Sequence, residues 1–155
     1  MIRKKRLYKR PMQLYDSVRI KEENELVKKY GLKNKKEIWK ALAKINYYRK
    51  RAMDLANLSS EEQQVFFNKL NNIGFKVDSI SDALGLKLED LLERRLPTIV
   101  AKQKLASTVK HARQMIAHKR IMVNHNVINS PSYIVQVDEE NKISVKEKTK
   151  KEVKA

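Results

Sequence analysis

The chain has 155 residues, enough for one domain or two small ones sharing a core, and it carries 35 Lys+Arg against 18 Asp+Glu, a formal charge of +17. Such an imbalance repels itself in the free fold and calls for a polyanionic partner. The absence of cysteine excludes disulfides, thiolate nucleophiles and cysteine zinc sites, and only three glycines are present, too few for a phosphate-cradling nucleotide loop. No apolar run of membrane length and no signal-peptide core is visible, so a membrane partner is not expected.

Residues 1–20 show no clean period. Arg3, Lys4, Lys5, Arg6, Lys9 and Arg10 precede Pro11, and we read the segment as an extended basic arm that orders on RNA. Glu22-Glu23-Asn24-Glu25 predicts the start of a short helix, with acids at its positive end, Lys28 and Lys29 at its negative end and Gly31 as its stop. A long helix is expected from about Lys35 to Asn57. Its apolar stripe is Ile38, Leu42, Ile45, Ala52 and Ala56, flanked by Trp39 and Met53, and its other faces carry Lys36, Lys40, Lys44, Arg49, Lys50 and Arg51. Residues 1–57 hold 18 Lys/Arg against six acids, and no acid falls between Glu37 and Asp54. A merely solvated face interleaves its signs, so this one points to a polyanion.

Residues 58–92 reverse the balance, with three Lys against six acids. Ser59-Ser60-Glu61-Glu62 reads as a capping box, and the helix behind it should pack through Val65, Phe66, Leu70 and Ile73 up to Gly74. Ser79 or Ser81 starts a brief further turn ending at Gly85. So many apolar residues argue against a flexible linker and for a connector that packs on both neighbours in one shared core, facing away from RNA.

The stretch 91–137 reads as a helix, a turn, a second helix and short β runs. Leu88, Leu91, Leu92 and Leu96 line the first helix, which contains Pro97. Ser107 is the expected N-cap of the second, whose apolar face is Val109, Ala112 and Ile116. Ile121-Met122-Val123 is a β run, Asn124-His125-Asn126 a turn needing φ > 0, and Tyr133 to Val137 a further β-branched run. Residues 93–137 hold eight Lys/Arg against one acid, Glu93. Ile143-Ser144-Val145 is a last strand, and the low-complexity segment after it reads as disordered.

The motifs Leu92-Glu93-Arg94-Arg95-Leu96, Ala112-Arg113-Gln114-x-Ile116-x-His118, Ile121-x-Val123-Asn124 and Pro131-Ser132-Tyr133 closely resemble, in order and spacing, the RNA-binding domain of the ribosomal small-subunit protein S-four family. Residues 22–35 also resemble the N-terminal helices of its archaeal and eukaryotic-type branch. The resemblance thus covers about residues 3–146, far more than the RNA grip grafted onto some pseudouridine synthases and tRNA synthetases. Lys104, Lys119 and His125 stand where members often have Gly. The resemblance implies an α+β protein: a mainly helical N-terminal part plus a helix–turn–helix followed by a small antiparallel β meander. The expected divisions are an arm at 1–20, a helical domain with connector at 21–90, the RNA-binding domain at 91–146 and a disordered basic tail at 147–155.

Functionally, the resemblance implies a cytoplasmic structural constituent of the small ribosomal subunit. Its expected partners are 16S rRNA, at a junction in the 5′ domain whose assembly it helps nucleate, and neighbouring small-subunit proteins. No cofactor, metal, catalysis, small-molecule substrate or homo-oligomer is expected. Besides the arm, candidate RNA contacts are Lys44, Arg49, Lys50, Arg51, Arg94, Arg95, Lys102, Lys104, Ser107, Thr108, Lys110, His111, Arg113, Gln114, His118, Lys119, Arg120, Asn124 and Asn126. Arginine suits bidentate phosphate contact, and the start of the second helix offers free N–H groups. Arg94 and Arg95 have a structural alternative, an ion pair with Glu93 or Asp90. Other readings are weaker. His111, His118 and His125 recur every seventh residue but lack the companions of a zinc site. Ser107 and His111 mimic a nucleophile and base without an acid or an oxyanion hole. A pseudouridine synthase would need a second domain, and a DNA-binding helix-turn-helix regulator would have to bind duplex DNA as well as rRNA.

Overall fold

The structure is a computed structural model, and it describes residues 8–146. Seven helices precede the first strand: α1 (Ser17–Lys29), α2 (Lys35–Leu55), α3 (Ser60–Ile73), α4 (Ile80–Gly85), α5 (Leu88–Glu93), α6 (Leu96–Lys102) and α7 (Val109–Ala117). Then come β1 (Ile121–Val123), β2 (Asn126–Val127), α8 (Val137–Glu140) and β3 (Ile143–Val145). The sheet is antiparallel, with β1 between β2 and β3.

α1 starts five residues before Glu22. Asp16 caps it by accepting from the Val18 and Arg19 amides, so the acids expected in the first turn fall mid-helix. Glu23 is turned inward, where it accepts from Arg19 at 3.0 Å and from the Trp39 indole at 2.9 Å and pairs with Lys35 at 3.2 Å. Burial pushes its carboxyl up, but these three donors outweigh burial and hold its pKa below the ordinary value.

The stripe of α2 runs through Ile38, Ile45, Tyr48, Ala52 and Leu55, at successive spacings of seven, three, four and three. Leu42 and Ala56 lie off it and are exposed, a phase error of one residue. Val65 is likewise exposed, and α3 packs through Phe66 and Leu70, flanked by Phe67 and Ile73. Ser59 is the N-cap of α3, yet its side chain makes no capping hydrogen bond. Ser79 does cap α4, in a reciprocal box with Asp82.

The helix expected to contain Pro97 is two helices. It breaks at Arg94–Arg95, and Pro97 sits in the first turn of α6, where an amide donor would have no intrahelical partner anyway. The run from Tyr133 joins no strand of the sheet. Ile134 forms an isolated bridge with Arg95, and Val137 already opens α8.

Instead of one shared core there are three clusters. The first holds α2, α3, α4 and Leu91; the second holds α6, α7, β1 and Val135; the third holds Tyr30, Leu32, Ile38 and Leu92. The nine residues 88–96 stitch them together, because Leu91, Leu92 and Leu96 each enter a different cluster.

Candidate nucleic-acid interface

Helix α7 organises the basic module. Thr108, not Ser107, is its N-cap: its hydroxyl accepts from the His111 amide at 3.1 Å. The Ser107 hydroxyl instead meets His111 Nδ1 at 3.2 Å. Ala112 and Ile116 are fully buried against α6. That packing turns Lys110, His111, Gln114, His118, Lys119 and Arg120 to solvent. His111, Gln114, His118 and Arg120 line one shallow hollow together with Met115. None of these side chains forms an ion pair among the described residues, and apart from His111, which meets Ser107, none has a hydrogen-bond partner there.

Two turns bring lysines to the edges of this face. α6 and α7 both end in a doubly hydrogen-bonded left-handed cap. Leu105 N donates to Val100 O and Lys104 N to Ala101 O; Arg120 N donates to Met115 O and Lys119 N to Ile116 O. Lys104 and Lys119 take φ of 59° and 58° there. Asn124 and His125 also have positive φ, 51° and 64°, as the two-residue turn between β1 and β2 requires. The backbone at Lys104, Lys119 and His125 thus keeps the conformation that glycine would adopt most easily.

Other candidates are held inside the protein. Arg95 has only 8% of its side chain exposed. Its guanidinium donates to Glu37 at 2.7 Å, and to the Pro131 carbonyl and the Ser132 hydroxyl at 3.3 Å. Arg113 donates to both oxygens of the same carboxylate, at 3.1 and 2.7 Å. Burial pushes Glu37 up, but the Arg113 and Arg95 hydrogen bonds outweigh it and hold its pKa below the ordinary value. Arg94 pairs with neither Glu93 nor Asp90. It reaches Glu140 at 2.9 Å and the Val135 carbonyl at 3.1 Å, and it lies across Gly74, where an added Cβ would meet its guanidinium carbon at 2.7 Å. Arg49 donates to the Leu86 carbonyl at 2.6 Å. Arg94, Arg95 and Arg113, expected as phosphate ligands, thus each also tie one part of the chain to another.

Lys9, Arg10, Lys44, Lys50, Arg51 and Lys102 are exposed, Lys102 in a surface ion pair with Glu93 at 2.8 Å. Asn124 and Asn126 are exposed at the β1–β2 turn. Arg3, Lys4, Lys5 and Arg6, like the tail from residue 147, lie outside the described residues.

Residues 94–141 match the S4 domain family. Beyond them, the chain is 44% identical to the small ribosomal subunit protein uS4 of Methanothermobacter thermautotrophicus over 142 residues, 88% of this chain and 83% of the relative. This chain belongs to the uS4 family. The uS4 of Methanococcus aeolicus is also 44% identical, over 88% of this chain and 81% of its own length, and that of Halobacterium salinarum 38% identical over 92% and 85%. Because these alignments reach well outside residues 94–141, the family assignment takes in the helical N-terminal part as well as the S4 module.

Proposed function

We propose that this uS4-family chain is an rRNA-binding structural constituent of the small ribosomal subunit, acting in the cytoplasm. The carrying observation is the juxtaposition of family and surface: a uS4-like chain in which α7 and its flanking turns present unpaired donors of one sign. The contacts proposed on this basis are Lys104, Thr108, Lys110, His111, Gln114, His118, Lys119, Arg120, Asn124 and Asn126, with Lys44, Lys50 and Arg51 on α2 and Lys9 and Arg10 in the arm. A rigid basic protein of this kind reads the shape of folded RNA through phosphates and sugars and catalyses no step.

The finer reading is 16S rRNA at a junction of the 5′ domain, bound early in assembly. It is supported by basic character on both sides of an acidic connector, which suits adjoining RNA helices better than a single duplex. Protein neighbours are supported by a different surface. Met12, Leu14, Tyr15 and Val18 are exposed on a segment pinned by Arg19, whose guanidinium donates to the Gln13 and Leu14 carbonyls. Aliphatic side chains have no use for phosphates.

Binding of the full chain to 16S rRNA should weaken by roughly 10³–10⁵ between 50 and 200 mM salt if on the order of ten phosphates are engaged. Crosslinking in assembled subunits should place α7 against 16S rRNA. A flat salt dependence, or equal affinity for duplex DNA, would reject the reading.

A further inference from the structure

The seam between α2 and the module holds a second hollow of about 180 Å³, lined by Glu37, Lys40, Ala41, Lys44, Leu91, Arg95, Ser132 and Ile134. Its charges do not balance. Among the described residues Glu37 is the only carboxylate in the lining, and it is already shared by Arg95 and Arg113. Lys40 and Lys44, one helical turn apart on α2, line the hollow and make no ion pair among the described residues. The Lys44 ammonium lies 5.9 Å from the centre of the Tyr48 ring, and its loss of water pulls its pKa below the ordinary lysine value. The Ser132 hydroxyl lies at the rim, 3.3 Å from the Arg95 guanidinium. Two lysines at helical spacing and a hydroxyl, beside a guanidinium already bonded to Glu37, form a receptor for a single oxyanion.

We propose that this seam hollow binds one phosphate group, with Lys40 and Lys44 as its charged ligands and Ser132 as a neutral donor. The proposal rests on the RNA-binding reading for its natural source, a backbone phosphate of the bound rRNA, with free inorganic phosphate as the other source of the same chemistry. The anion would complete the charge of the cluster that joins the N-terminal helices to the module. Occupancy would therefore stiffen that junction as RNA binds.

The test uses the full chain, a K40Q/K44Q variant and a control of equal charge change away from the hollow, K33Q/K36Q. Inorganic phosphate should raise the melting temperature of the wild type saturably, beyond chloride of equal ionic strength. It should do the same for K33Q/K36Q and not for K40Q/K44Q. With 16S rRNA, K40Q/K44Q should lose on the order of tenfold in affinity, and its log–log salt slope should shrink by about 1, the signature of one lost phosphate. A phosphate response that survives K40Q/K44Q, or an affinity loss no larger than that of K33Q/K36Q, overturns the site. If the hollow takes inorganic phosphate but the wild type binds no rRNA, the site stands and the functional reading falls.

Discussion

The two sides of α7 use the same residue types to opposite ends. On the side facing α2, Arg113 is half-buried and drawn into a carboxylate it shares with Arg95. On the outer side, Lys110, Lys119 and Arg120 are exposed and form no ion pair among the described residues. The difference is not chemical, since all are permanent cations at neutral pH. It comes from whether a distant part of the chain delivers an acid, and here α2 delivers Glu37. A basic residue in an RNA-binding protein thus belongs to the fold or to the ligand according to its partner.

The largest effect should come from removing the shared acid. E37A leaves two arginines pressed together with no counter-charge, which for a buried pair costs about 3–5 kcal/mol. Thermal unfolding should fall by roughly 10 °C, at about 2–4 °C per kcal/mol for a chain of this size. The pH dependence has a definite sign. Because the folded pKa of Glu37 is depressed, its stabilisation is complete above the unfolded value near 4.5 and is lost as pH falls through the folded pKa. Stability of the wild type should therefore drop on acidification below about pH 4.5, and E37Q should show a shallower drop. An E37A protein that melts with the wild type would show the seam to be idle.

Next in size is the contrast within α7. R113A should destabilise by about 1–3 kcal/mol, leaving part of the Glu37 charge unanswered. K110A should move stability by less than about 0.5 kcal/mol while weakening rRNA binding. Equal behaviour of the two variants in both denaturation and binding would erase the distinction between the faces. Comparable to R113A is G74A, which forces φ of 97° on an alanine and drives its Cβ into Arg94, the link to Glu140. It should cost about 1–3 kcal/mol, read by denaturant unfolding.

What the sequence made legible follows from the range of each interaction. The apolar face of α7 and the left-handed turn at Asn124–His125 are settled within a few residues, and pattern reading found them; for α4 it offered Ser79 or Ser81, and Ser79 is the cap. The resemblance reached further, to the family. The pairings of Glu37 with Arg95 and Arg113 span 58 and 76 residues, and no local period encodes them. That is why the sequence showed these arginines as candidate RNA contacts but not the internal bonds they also make. Leu42 and Val65 went wrong for a related reason: an apolar residue beside a helical stripe is assigned to the core unless the neighbour's position is known. Residues 133–137 have strand-like composition, but β1 already has a partner on each edge, so the run serves instead to anchor α8, where Tyr133 donates to Glu139 at 2.8 Å. The seam hollow was half legible, since Lys40 and Lys44 share a face of α2, whereas Ser132 arrives only through the fold.

The smallest effect is the most discriminating, because its two readouts should move in opposite directions. Lys119 follows the C-cap of α7 at φ of 58°, a conformation that costs a residue with a Cβ about 1–2 kcal/mol. Glycine there removes the strain but adds freedom to the unfolded chain, worth about 0.4–1 kcal/mol against the fold. The net gain of K119G should be about 0.5–1 kcal/mol, a rise of a few degrees at most. If the exposed face serves the ligand, the same substitution deletes a cation that meets phosphate, and rRNA affinity should fall. K119A separates the causes: it keeps the strained backbone and removes the charge, so it should lose affinity without gaining stability. Should K119G melt higher and bind rRNA as tightly as the wild type, Lys119 is merely tolerated at a turn, and the outer face of α7 is smaller than drawn here.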